Sequence, residues 1–223
     1  VVTTGISALL AAGISVTSSN EITVHGSTTT KFTLAEVMKK PGVYEDQCHV
    51  NYGETKSGDC TYGDINSKTT VVLYGDSHAA QWFPALEALA NDRGFKLVSL
   101  TKSACPSVDV PRADQGAFKN VHCDKWRDDS IARIKKLRPA AVIMSSFQYF
   151  NPPSGYPDEY QWWKEGQIRL LDALRGSSKH LIYISDTPRP LRDIPNCLAS
   201  RDPQSCDSTE KSPVKIINGF EKV

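Results

Sequence analysis

The chain has almost no net charge: 26 Lys and Arg against 25 Asp and Glu leave +1 over 223 residues, with no run of one sign. That lack argues against a dedicated nucleic-acid binder, which needs a basic face to meet phosphates. A zinc pattern is also missing. None of the six cysteines sits in a C-x-x-C pair and none of the five histidines completes a ligand spacing, so no metal is expected. Internal repeats and aromatic-plus-basic stripes are absent. Long hydrophobic runs are scarce as well: the apolar opening VVTTGISALLAAGISV is too short to cross a bilayer alone and lacks the basic start of a signal peptide.

What is present is enough apolar residue, 39%, for one good core, hence a single main domain with an appended N-terminal segment. The cysteines at 48, 60, 105, 123, 197 and 206 fall into three sequence-local pairs around loops rich in Gly, Pro, Asp or Ser. Of the fifteen connectivities that six cysteines allow, the economical one joins Cys48–Cys60, Cys105–Cys123 and Cys197–Cys206. Free structural thiols are the alternative. Bonded, they imply an oxidising compartment outside the cytoplasm.

The rest is organised around the stretch from Thr70 to Trp82, TVVLYGDSHAAQW. Val71 to Tyr74 form a β-branched apolar run without polar alternation, the pattern of a strand buried on both faces of a parallel sheet. Ala79, Ala80, Trp82, Phe83, Leu86, Leu89 and Ala90 then recur at helical spacing. Gly75-Asp76-Ser77 is therefore a tight strand-to-helix turn. A serine there projects its hydroxyl beyond the carboxyl edge of the sheet, while the N–H groups opening the helix face any oxyanion formed beside it. The plainer reading makes Ser77 a helix N-cap.

The block GDSHAAQW resembles the first motif of the SGNH (GDSL-type) hydrolase superfamily, above all the extracytoplasmic SGNH domain fused behind membrane acyltransferase-3 domains. The context adds to the likeness: an apolar strand before the block, an amphipathic helix after it, LVSLTKSACP at the next strand end, and flanking cysteine pairs. The resemblance implies that Ser77 is the nucleophile of an enzyme moving acetyl or other acyl groups onto envelope glycans. No cofactor is implied beyond an acyl donor as co-substrate. It implies as partners a membrane acyltransferase-3 domain of the same parent chain and a glycan acceptor, with the domain tethered in the periplasm or on the outer face of the membrane.

Further strands are expected at Lys96 to Leu100, Ala140 to Ser145 and His180 to Ser185, with helices over Trp126 to Leu137 and Tyr160 to Leu174. Strands alternating with helices predict a three-layer, doubly wound parallel α/β sheet of SGNH/flavodoxin-like type. Residues 1–33 read as the outer end of a membrane helix plus a polar linker, with a lid helix as the alternative for the apolar opening. Residues 34–223 read as the SGNH-like domain, opening on a short helix at Leu34 to Lys40. Val43 to Lys68 reads as a stapled approach loop.

A nucleophilic serine needs a histidine, and the histidine an orienting acid. SGNH enzymes supply both from a D-x-x-H after the last strand, and none follows His180 to Ser185 here. The resemblance therefore leads one to expect a domain truncated before its last strand and lacking that pair. Asp46-Gln47-Cys48-His49 matches D-x-x-H as text but precedes Ser77. His25, His122 and His180 read as solvated or structural. His78 suits packing or gating, and Asp76 bracing of the turn through backbone N–H groups. The other strand ends offer Ser103, Ser146 and Gln148 as oxyanion donors and Asp186 as a substrate or bracing residue, all facing one cleft. Strand-end hydrogen bonding is the plainer role for each. An O-acyltransferase, a carbohydrate esterase and a non-catalytic glycan-binding domain all remain consistent with these residues.

Overall fold

The computed structural model describes residues 14–16, 21–25, 29–148, 150–156, 158–187, 190–200 and 203–206. They fall into two compact units. The smaller unit takes its described residues from Val1–Lys40 and Pro188–Ser212. Strands β1 (Ile14–Val16), β2 (Glu21–His25) and β3 (Thr29–Thr33) form an antiparallel sheet in that order. This corrects the linker reading of residues 17–33. Thr, Val and Ile dominate both longer strands, and β-branched side chains suit a pleated surface even where the composition is polar. Residues 1–13, expected to end a membrane helix, lie outside the described residues. The short helix α1 (Leu34–Met38) opens on a capping box between Thr33 and Glu36.

The larger unit takes its described residues from Pro41–Thr187. Its sheet contains β4 (His49–Val50), β5 (Thr61–Gly63), β6 (Thr70–Gly75), β7 (Lys96–Lys102), β8 (Ala141–Ser145) and β9 (His180–Tyr183). The order is β4-β7-β6-β8-β9, all parallel, with β5 antiparallel on the β4 side of β7. Helices α2 (Ser77–Ala80) and α3 (Phe83–Arg93) link β6 to β7. Helix α4 (Asn120–Leu137) carries the chain from β7 past β6 to β8, and α5 (Glu159–Leu174) leads to β9. The chain reverses direction between β6 and β8, the switch point at which open α/β sheets hold ligands.

Alternation along β6 builds two cores. Val72 and Tyr74 pack with Trp126, Ile134, Leu170 and Leu174 of α4 and α5. Leu73 packs with Ala79, Ala80, Phe83 and Leu86 of α2 and α3. Three layers result, and the doubly wound expectation stands. All three disulfides have the local pairing, Cys48–Cys60, Cys105–Cys123 and Cys197–Cys206, the last in helices α6 (Ile194–Ser200) and α7 (Pro203–Cys206) of the smaller unit. No helix among the described residues is long and apolar enough to cross a membrane.

Candidate active site

Strand β6 stops at Gly75, whose φ of +147° is a conformation L side chains rarely adopt. A Cβ there would lie 2.1 Å from the Ser145 carbonyl of the neighbouring strand, so only glycine lets β6 and β8 meet at this turn. Asp76 follows as N-cap of α2. Its buried carboxylate accepts the His78 N–H at 2.8 Å and the Phe147 N–H at 3.0 Å. One side chain thus closes the turn and clasps the exit of β8. Burial raises the Asp76 carboxyl to about 6, against the lowering influence of the His78 charge and the two backbone donors.

Ser77 is exposed at the first position of α2. Its backbone N–H makes no hydrogen bond among the described residues, and neither does its Oγ. Beside it, His78 Nδ1 lies 2.5 Å from Asp186 Oδ1, joining the end of β6 to the end of β9. Asp186 is nearly buried, and its second oxygen accepts the Gln148 N–H at 3.0 Å. Burial pulls the His78 pKa down, but the hydrogen bond and charge of Asp186, with the charge of Asp76, outweigh it and the net direction is upward. His78 makes no other side-chain hydrogen bond among the described residues, so Nε2 is the nitrogen left open to a ligand.

The exit of β7 is differently arranged. The Ser103 N–H donates to the Val50 carbonyl, which removes it as an oxyanion donor. Its hydroxyl lies 3.1 Å from His49 Nε2, while His49 Nδ1 lies 3.1 Å from Thr101 Oγ1. Asp46, its textual partner, instead accepts from the Cys48 N–H and the Tyr62 hydroxyl. The next residue, Ala104, has φ +54°, and its N–H makes no hydrogen bond among the described residues. Ser77 and Ala104 therefore present two uncommitted N–H groups just beyond the carboxyl ends of adjacent strands, an arrangement able to hold an oxyanion. The sequence offered no signal for Ala104, because only the positive φ marks it.

Of the remaining sequence candidates, Ser146 is fully buried. Its hydroxyl bonds the Ser107 N–H at 2.6 Å and the Ser107 hydroxyl at 2.7 Å, holding the loop after β7 rather than facing solvent. The Gln148 side chain is buried, with Nε2 3.5 Å from the Tyr183 hydroxyl. Ser77, His78 and Asp186 thus meet at one sheet edge with Ser103 on the adjacent strand exit, whereas the Ser146 and Gln148 side chains serve packing. Among the described residues no three His, Cys, Asp or Glu side chains gather as a metal site.

An open, mainly parallel sheet with an exposed serine at its first strand-to-helix turn is a setting in which a serine can act as a nucleophile. The family model described as "SGNH domain (fused to AT3 domains)" matches residues 47–217, and the chain belongs to that family. Among solved structures, the chain is similar in fold to the Salmonella ser. Paratyphi A lipopolysaccharide acetyltransferase periplasmic domain, with a TM-score of 0.55 and 15% identity. That likeness covers 71% of this chain and 63% of the other, so the chain spans less than two thirds of that domain's length. A comparison with curated proteins finds no match.

Proposed function

We propose that the domain is a serine-dependent O-acyltransferase acting on cell-envelope or surface glycans. The carrying observation is the exposed Ser77 hydroxyl at the end of β6, where its own N–H and, at the end of the adjacent β7, that of Ala104 are uncommitted among the described residues. In this reading the Ser77 oxygen attacks the carbonyl carbon of an acyl donor, the N–H pair holds the oxyanion, and the donor's leaving group departs with the Ser77 proton. A glycan hydroxyl then attacks the seryl ester, giving its proton back to the Ser77 oxygen and carrying the acyl group away. The AT3 domains to which such domains are fused supply the donor, and the work is done outside the cytoplasm. The acetyltransferase named for the structural neighbour and the three disulfides support both points.

Intact-mass spectrometry of the AT3-fused protein tests the proposal. An acyl adduct should appear on Ser77, vanish in Ser77→Ala, and discharge faster on adding acceptor glycan than in water alone. An adduct on another residue removes the nucleophile. Discharge indifferent to every glycan would make the domain an esterase.

A further inference from the structure

Arg112 lies in the disulfide-bridged segment between β7 and α4. Its Cζ stands 4.2 Å from the Phe118 ring centroid and 3.6 Å from that of Phe150. Nη1 donates to the Ala104 carbonyl, the far side of the peptide group next to the proposed oxyanion site. Nε and Nη2 make no hydrogen bond among the described residues, and no carboxylate of those residues pairs with this guanidinium. Arg127, which is buried, shows the contrast: Asp109 and Asp124 meet it at 3.1 and 2.7 Å. Burial pulls the Arg112 pKa down to about 10, partly opposed by the charge of Asp76, so the group remains cationic at neutral pH.

A continuous aromatic path connects this cation to the nucleophile's turn. The His78 ring is 5.0 Å from Phe147, Phe147 is 4.9 Å from Phe150, and Phe150 carries Arg112. All four side chains are partly exposed, so the path is a surface for sugar rings with a cation at its end. The segment is also held in place. Ser107 is fastened to Ser146, the Asp109 N–H to the Gly166 carbonyl, and the Arg112 N–H to Asn120.

Two parallel donors, Nε–H and Nη2–H, on a cation packed against two aromatic rings, match the two oxygens of a carboxylate. We propose that Arg112 receives the carboxylate of an acidic glycan, a uronic or similar acidic sugar unit, and so sets the acceptor class of the site. The proposal rests on the acyltransferase reading only for what happens after binding.

Binding is therefore measured, on the Ser77→Ala chain, by calorimetric titration with trigalacturonate and with the same trisaccharide after reduction of its carboxyls to alcohols. The acidic probe should bind about ten- to hundredfold more tightly, as a charge-assisted pair implies. Arg112→Gln should abolish the preference, and Arg175→Gln, which alters an exposed pair with Asp172, should keep it. If Arg112→Gln fails to fold, Arg112→Lys decides: the charge without the fork should lose most of the preference. Equal affinity for the two probes, no binding of either, equal weakening of both by Arg112→Gln, or full preference in Arg112→Lys overturns the proposal. Absence of a Ser77 adduct in the labelling experiment overturns the acyltransferase reading and leaves this binding result intact.

Discussion

Asp186 holds two partners from two strand ends, the His78 imidazole and the Gln148 N–H, and its replacement should be read in the pH dependence of stability. The folded His78 pKa lies above its ordinary value, so the pair's contribution is fully present below about pH 6.5 and is lost as pH rises through the folded value. Asp76 has the opposite origin. Its raised carboxyl penalises the ionised fold increasingly between about pH 4 and about pH 6, and evenly above that, which leaves the higher window to His78. The melting temperature of the wild type should therefore exceed that of Asp186→Asn most near pH 6 and approach it in alkali. A gap unchanged across that range would show that Asp186 does not raise the His78 pKa. Tyr74 gives a second test at this scale. Its hydroxyl is buried without a hydrogen-bond partner among the described residues, so Tyr74→Phe, which keeps the stack on Trp126, should stabilise by about 0.5–1.5 kcal/mol in chemical denaturation.

Helix α5 shows how an element positions the site from a distance. At Gly166 a Cβ would stand 2.3 Å from Val110 Cγ1 and 2.8 Å from the Asp109 carbonyl oxygen. The Gly166 carbonyl accepts the Asp109 N–H, and Arg169 donates to the Asp109 carbonyl. Gly166→Ala should cost about 1–3 kcal/mol of stability by overpacking, more than the roughly 1 kcal/mol that better helix propensity returns. A gain in stability would show that the loop yields freely. In the sequence, α5 and the four core strands are legible because their apolar spacing is regular. Strands β4 and β5 are hidden in the stapled loop, since two or three residues cannot display a period. The strands of residues 21–33 are hidden by polarity, as Thr and Ser read as linker when composition is weighed above β-branching. At the site, Ser77 and Asp76 are legible from the turn. The His78–Asp186 pair is not, because 108 residues separate partners whose meeting depends on the order of strands. Arg112 carries no local signal at all, being defined by rings brought from Phe118 and Phe150.

Across the whole molecule, no base is hydrogen-bonded to the Ser77 hydroxyl among the described residues, so residues 1–223 alone should hydrolyse p-nitrophenyl acetate little faster than their Ser77→Ala variant. A strong Ser77-dependent rate would assign the base to His78, whose Nδ1 is already oriented by Asp186 as a catalytic imidazole requires. The same separations order events in time. The disulfides close intervals of 12, 18 and 9 residues, whereas Asp76 reaches 71 residues to Phe147 and His78 reaches 108 to Asp186. Short loops close early and long ones late. On that ordering the Cys48–Cys60 and Cys105–Cys123 loops close while Ser77 is still an ordinary hydroxyl on a half-made sheet. The turn is clasped from both sides only after β8 and β9 have docked, so chemical competence is a signature of completed folding.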